Sequence, residues 1–212
     1  MSFFNWCVEI LFPRNCIGCG RRKKVWCSSC HYRCEYASPI NDPHIYALYA
    51  YKDSTVKKIV RRLKNKRDYQ LAHQCADVLA QWYMNDAAVS HIINHDVRPM
   101  VIPVPISSQR RRERGYNQAD LLARHFARTM NYHYTTQGII KHTNSKQALV
   151  TSRTSRIHNV RDDFMISDPK LFHNQDIIII DDVTTTGATL RELIRVLKKA
   201  GATSVTALAF AH

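Results

Sequence analysis

Two hydrophobic periods alternate along the chain. Tyr46 to Tyr51 is a short apolar and aromatic run that reads as a strand. Behind Asp53 or Ser54, either able to cap a helix, Val56, Ile59, Val60 and Leu63 recur at helical spacing. A second helical pattern covers Tyr69 to Met84 and contains Cys75, which reads as a core thiol. Val101-Ile102-Pro103-Val104 is a short strand, and Pro103 and Pro105 stop its pairing where a loop begins. Residues 117–130 form a further helix, and Ile139-Ile140 closes another strand. Ile177 to Ile180 is an unbroken β-branched run, the signature of a strand buried in the middle of a parallel sheet. Leu190, Leu193, Ile194 and Leu197 share one helix face, Gly201 ends that helix, and Ser204 to Ala209 is a last strand. Strand alternating with helix predicts an α/β fold: a central parallel sheet, right-handed crossovers and flanking helices.

Length adds an appendage to that body. The 212 residues suffice for one domain and a small extra module. Regular patterns begin near Pro39 and Pro43, so the expected division is a module over 1–39 and a body over 40–212. A 45% hydrophobic content with 6 Gly and 7 Pro excludes a collagenous or wholly disordered chain. No apolar run approaches the roughly 20 residues that cross a bilayer. The opening stretch has Glu9 among its apolar residues and no basic start, which argues against a cleavable signal peptide and for a reducing cytoplasm.

In that compartment the cysteines change the reading of the head. Six of the 7 lie before Glu35. Cys16-Ile-Gly-Cys19 and Cys27-Ser-Ser-Cys30 are two C-x-x-C turns, and together they offer the four thiolates of a closed structural zinc site. Free thiols or a redox pair do not explain two adjacent copies. His31 and Cys34 are spare ligands, and Cys7 reads as a packed thiol. Between the turns lie Arg21, Arg22, Lys23 and Lys24 beside Trp26, either a solvated loop tip or a nucleic-acid contact. The whole chain carries a net charge of +14, which favours a polyanionic partner: nucleic acid, a phosphorylated small molecule or an anionic membrane surface.

One run carries chemistry. After Ile177 to Ile180 come Asp181-Asp182-Val183-Thr184-Thr185-Thr186-Gly187-Ala188-Thr189-Leu190. A buried strand thus ends in two carboxylates, a loop of small hydroxyl residues follows, and a helix begins. Ligands of open α/β sheets bind beyond the carboxyl ends of the strands, where the next helix presents free N–H groups and its positive dipole end. Thr184, Thr185, Thr186 and Thr189 add hydroxyls, and Gly187 and Ala188 let a phosphate approach. Asp181 and Asp182 would repel that phosphate, so they must serve the sugar hydroxyls of the same ligand. An N-capped helix after a core strand accounts for one or two threonines but not for the acid pair.

A phosphate beside a diol describes a ribose 5-phosphate. The run resembles the 5-phosphoribosyl-1-pyrophosphate (PRPP) signature of type I phosphoribosyltransferases along its whole length. Leu11-Phe12-Pro13, Leu63-Lys64, Val101 to Pro105, Arg114-Gly115-Tyr116-Asn117-Gln118-Ala119, Gln147-Ala-Leu149 and Arg156-x-x-Asn159-Val160 through Phe164 resemble the ComF family of competence-associated proteins, nearly end to end. Lys146 and Asp162-Asp163 depart from the usual pattern. The resemblance implies a type I phosphoribosyltransferase fold with an N-terminal zinc module. It also implies a part in natural transformation, handling imported single-stranded DNA, with other DNA-uptake or recombination proteins as partners.

Transfer from PRPP would build positive charge on the ribose and negative charge on pyrophosphate. Mg²⁺ together with Lys64, Arg112 and Arg114 would neutralise the latter. Lys57, Lys58, Arg61, Arg62, Lys66 and Arg67, with Arg110 and Arg111 in the second run, read equally as a solvated face or a DNA track, with Tyr116, Trp26 or Tyr69 stacking bases. Gly115 would hinge a loop carrying the second basic run. No general base stands out, since His125, His133, His142 and His158 are scattered. The alternatives are an inactive PRPP-fold scaffold, a DNA-binding adaptor, and a transferase acting on a small-molecule base.

Overall fold

A computed structural model of the chain describes residues 15–22, 24–86, 89, 98–141 and 163–212. Cys7, Leu11 to Pro13, Lys23, His142, Lys146, Gln147, Leu149, Arg156, His158, Asn159, Val160 and Asp162 lie outside the described residues.

In chain order the elements are α1 (Ser28–His31), β1 (Ile45–Tyr49), α2 (Ser54–Asn65), α3 (Tyr69–Asn85), β2 (Met100–Pro103), α4 (Ser108–Arg114), α5 (Gln118–Met130), β3 (His133–Tyr134), β4 (Ile139–Lys141), β5 (Phe164–Ile166), β6 (Asp176–Val183), α6 (Ala188–Lys199) and β7 (Ser204–Ala211). A five-stranded sheet runs β1-β7-β6-β2-β3, and β4 pairs with β5 separately. Every pair in the large sheet is parallel. This is the expected α/β architecture, with the isoleucine strand β6 in the middle.

Alternation along β6 decides how the core divides. Ile178 and Ile180 pack on the side of Val56, Ile59, Val60, Leu63, Leu122 and Phe126, from α2 and α5. Ile177 and Ile179 pack on the opposite side with Leu190, Leu193 and Leu197 from α6. Successive side chains of a strand face opposite ways, so the same alternation sends Asp181 and Asp182 to different faces of the sheet. Asp53, one of the two predicted caps of α2, accepts from Thr55 and Val56, and Asn117 caps α5 by accepting from Ala119.

Two expectations are corrected. The arginines after β2 are not on a loop. Residues 108–114 form a helix, because the Ser107 hydroxyl accepts from the Arg110 amide and Gly115, at φ 73°, closes the far end. Ile139-Ile140 lies outside the large sheet, in the β4–β5 pair, and the fifth strand is the two-residue β3, too short to show a period.

The cysteine-bearing head shares the core of the body. Val25, Trp26 and Cys27 are buried in the same apolar cluster as Leu48, Tyr49 and Phe210. Trp26 packs edge-on against Tyr49 and Phe210, with ring centroids 5.9 and 6.1 Å away. A side chain so enclosed cannot stack a base, which corrects that expectation for Trp26. Tyr116 is likewise buried, and its hydroxyl donates to the Leu63 carbonyl at 2.8 Å. Tyr69 remains exposed.

Candidate functional site

The hydroxyl loop sits at the carboxyl end of β6, held by its neighbours. Thr184 is buried, and its amide donates to the Ala211 carbonyl at 3.0 Å, which pins the start of the turn to β7. Gly187 has φ +74°, a left-handed conformation that L side chains rarely adopt. A Cβ there would lie 3.2 Å from Arg191 Nη1 and 3.3 Å from Ile45 Cδ1. Arg191 donates to the Thr186 carbonyl and reaches Asp42 Oδ2 at 3.4 Å, bracing the turn from outside. Gly187 gives α6 no side-chain cap. The Ala188 amide is met by Thr186 Oγ1 at 3.3 Å. The amides of Thr185, Thr186, Gly187 and Thr189 have no partner among the described residues. Thr185 and Thr186 are exposed. Unpartnered amides, hydroxyls and a helix N-terminus thus meet in one short turn, which favours an anion.

Beside it the two acids live differently. Asp182 is 2% exposed. Lys64 Nζ lies 3.4 Å from its Oδ2, and Gln118 Nε2 donates to its Oδ1 at 3.4 Å. Arg114 Nη1 in turn donates to Gln118 Oε1 at 3.1 Å. Lys64, Asp182, Gln118 and Arg114, from four different elements or their ends, therefore form one polar chain. Asp181 is half-buried on the other face, and its Oδ1 accepts the Asp182 amide at 2.9 Å. Burial first, and then the adjacent Asp182 charge, push its carboxyl well above the usual range. On this face stands Lys141, whose ammonium lies 5.0 Å from the Phe164 ring centroid. Burial lowers the Lys141 pKa, while the charges of Asp163 and Asp181 act to raise it.

The four predicted cysteines converge. The sulfurs of Cys16, Cys19, Cys27 and Cys30 all lie within 4.8 Å of one another. Cys19 and Cys27 are 3.7 Å apart, close to the spacing of about 3.8 Å that a tetrahedral shell with about 2.3 Å bonds requires. The donor set and its geometry fit a metal ion such as zinc. Burial pushes the Cys16 thiol up, but the backbone N–H groups of Cys19, Cys27 and Gly18 outweigh it and bring it to about 6. Burial and the neighbouring thiols drive Cys30 to about 12. Cys34 is not a member: its thiol donates to the Cys30 carbonyl at 3.2 Å. His31 packs edge-on against Trp26 and Tyr49 instead.

The phosphoribosyl transferase domain family matches residues 113–212. Competence protein F of Haemophilus influenzae is 30% identical over 146 residues, 68% of this chain and 62% of that protein. Competence protein ComFC of Bacillus subtilis is 28% identical over 191 residues, 88% of this chain and 72% of that protein. The chain belongs to the ComF family. The DNA utilization protein YhgH of Escherichia coli O157:H7 is 30% identical over 50% of this ComF chain and 45% of its own length. The chain thus spans less than two thirds of the length of several curated relatives that it matches. Among solved structures, the glutamine PRPP amidotransferase of Bacillus subtilis aligns with a TM-score of 0.44 and 18% identity, over 71% of this chain and 30% of that one. The hypoxanthine phosphoribosyl transferase of Trypanosoma cruzi aligns with a TM-score of 0.39 and 15% identity, over 73% and 64% of the two chains. No helix among the described residues is long and apolar enough to cross a membrane.

Of the residues singled out in this ComF sequence, Asp181 through Thr189 form one continuous turn, and Lys64 and Arg114 join it through Asp182 and Gln118. Arg112 does not: it is exposed on α4, with no ion pair among the described residues. Sequence reasoning left Gln118 without a role, although it stands in the quoted Arg114–Ala119 run. It also passed over Lys141 and Arg191, which no local pattern marks. Lys64→Met should leave the buried Asp182 carboxylate without its counter-ion. A loss of about 2 kcal/mol in urea unfolding is expected, and an unchanged midpoint would contradict the network.

Proposed function

We propose that this ComF protein binds PRPP at the β6–α6 turn and handles imported single-stranded DNA in the cytoplasm during natural transformation. The observation that carries the first half is the convergence of free amides and hydroxyls at Thr185 to Thr189 beside a half-buried carboxylate. The turn holds the 5-phosphate, with its donors already aimed by the β7 bond and the Arg191 brace. Asp181 accepts from the ribose hydroxyls. Asp182 is too enclosed for the same task; it fixes Lys64 and, through Gln118, orients Arg114 for pyrophosphate. Arg112 approaches from α4. Mg²⁺ would supply charge neutralisation on the pyrophosphate, and Asp181 is the carboxylate suited to it: burying its charge without a partner is unfavourable, so a cation relieves that cost. Zinc in the four-cysteine cluster would hold the head over 1–39 against the body over 40–212.

A DNA role rests on a second observation. Arg110, Arg111 and Arg112 are exposed on one short helix, none with an ion pair among the described residues. Such charges neutralise phosphodiesters without reading sequence. Calorimetry with PRPP and Mg²⁺ tests the first half: single-site binding is expected, and no heat, or equal binding by a chain carrying both Asp181→Ala and Asp182→Ala, contradicts it. Oligothymidylate titrations test the second. Affinity should fall steeply with salt, and neutralising Arg110 to Arg112 should flatten the slope by about 2 to 3 counterions. Pyrophosphate release from PRPP across bases and oligonucleotides then separates a transferase from a scaffold that only senses PRPP.

A further inference from the structure

A second basic site lies away from the turn, in the seam between α3 and α5. A cavity of about 340 Å³ opens there, lined by Arg67, Tyr69, His73, Arg124, His125 and Arg128 together with Asp120 and Leu121. It shares no residue with the β6–α6 turn. The α5 residues that face the sheet, Leu122, Ala123, Phe126 and Ala127, are all buried, so Arg124, His125 and Arg128 stand on the other side of the helix.

The carboxylates here are already engaged. Asp120 accepts from the Tyr134 hydroxyl and pairs with Arg124 at 3.7 Å. Asp77 lies 2.7 Å from His125 Nε2 and accepts from the Thr129 hydroxyl at 3.3 Å. Against these two acids stand three guanidinium groups and two imidazoles. Arg124 lies over the Tyr134 ring at 5.1 Å, and Arg67 over Tyr69 at 5.6 Å, so both are positioned by aromatic faces and not only by acids. His73 and His125 stack with centroids 4.1 Å apart and planes 14° apart.

We infer that the α3–α5 cavity is a second ligand site, for a nucleoside 5′-phosphate. Arg124 and Arg128 hold the phosphate in forked hydrogen bonds. The His73–His125 pair meets its outer oxygens, and the exposed Tyr69 ring lies at the edge where a base would rest. The cavity falls within the range of about 300–1,000 Å³ typical of small-ligand sites.

Binding is coupled to protons. Burial lowers the His73 pKa, the His125 charge and then Arg128 lower it further, and Asp77 opposes them. The charged groups facing the pair are Asp77 from α3, Asp120, Arg124 and Arg128 from α5, and Arg67 from the link before α3. A bound phosphate adds negative charge and so favours protonated His73. Affinity rises as pH falls from neutrality, until the phosphate's own second protonation near pH 6 opposes the gain.

The probe is adenosine 5′-monophosphate, titrated into the full chain while the histidine ring signals are followed by NMR. Two signals should move, those that vanish in His73→Gln and His125→Gln. Adenosine, lacking the phosphate, should bind at least about tenfold more weakly. Replacing Arg124 and Arg128 by Ser, both exposed positions, should weaken binding at least about tenfold with the fold intact by circular dichroism. The phosphorylated 5′ end of a DNA strand carries the same group. Tighter binding of the monophosphate than of a 5′-phosphorylated oligothymidylate assigns the free nucleotide, and the reverse order assigns the strand end. If neither ligand moves the two histidine signals, or if the arginine substitutions leave affinity within about twofold, the inference is overturned. The readout is local to this cavity, so it stands or falls apart from PRPP binding at the turn.

Discussion

Stripping the metal from the cysteine cluster is expected to lower the melting temperature of the whole chain, not of its head alone. The four sulfurs lie within 4.8 Å of one another, a spacing that four thiolates hold only with a cation between them, so without it the cluster must protonate or spread. Structural zinc contributes on the order of 10 kcal/mol to small cysteine modules. Here the loss spreads, because Val25 and Trp26 between the cysteine pairs belong to the same buried cluster as Tyr49 and Phe210. If the turns relax, β1 and β7 lose the aromatic edge contacts that cover them. Chelation under reducing conditions, or Cys27→Ser, should therefore depress the melting temperature by more than about 10 °C and release about one metal ion per chain. Gly18→Ala should act like a mild chelator, since its Cβ would lie 2.7 Å from the Cys30 sulfur. Cys34→Ala is the matching control: it removes a thiol that only donates to the Cys30 carbonyl, and metal content should persist. A chelated chain that melts where the untreated chain does would contradict the shared core.

These expectations show where the sequence is legible. The isoleucine run of β6, the cap Asp53 and the four cysteines are local patterns: each states its structure within a few residues. The turn after β6 is legible for the same reason, since strand end, hydroxyls, glycine and helix start are contiguous. What failed to show is non-local. Gln118 meets Asp182 across 64 positions, and Tyr116 meets the Leu63 carbonyl across 53. No period encodes such pairs. Trp26 was open to reading as a base-stacking residue because a lone aromatic beside basic residues looks exposed, and only the packing of Tyr49 and Phe210 decides otherwise. The α4 helix was hidden by arginines that form no apolar face; its caps, Ser107 and Gly115, were the available signal.

The adjacent acids should respond to the same substitution with opposite signs. Asp181→Asn is expected to stabilise the protein and to abolish tight PRPP binding. Burial, then the Asp182 charge, raises the Asp181 pKa well above its ordinary 3.8. A raised carboxyl favours the protonated form in the folded chain. Its contribution to stability is therefore full below the ordinary carboxylate pKa and lost as pH rises through the higher folded value. Above the ordinary carboxylate range the folded state is therefore penalised relative to the unfolded one, either by holding that charge or by binding the proton that removes it. A neutral amide of the same shape removes that penalty, so the melting temperature should rise by about 2–4 °C for a gain of about 1 kcal/mol, and the gain should shrink toward pH 4. In the proposed site PRPP with Mg²⁺ would need the ionised oxygen, so its affinity should drop about 100-fold or more. Asp182→Asn removes the carboxylate that Lys64 and Gln118 surround, leaves an ammonium facing a neutral amide, and should lower the melting temperature. Thermal scans with calorimetry on both variants check the pair. If Asp181→Asn melts lower, or binds PRPP as the unaltered chain does, then Asp181 is a structural acid and the ligand reading of the turn loses its sugar contact.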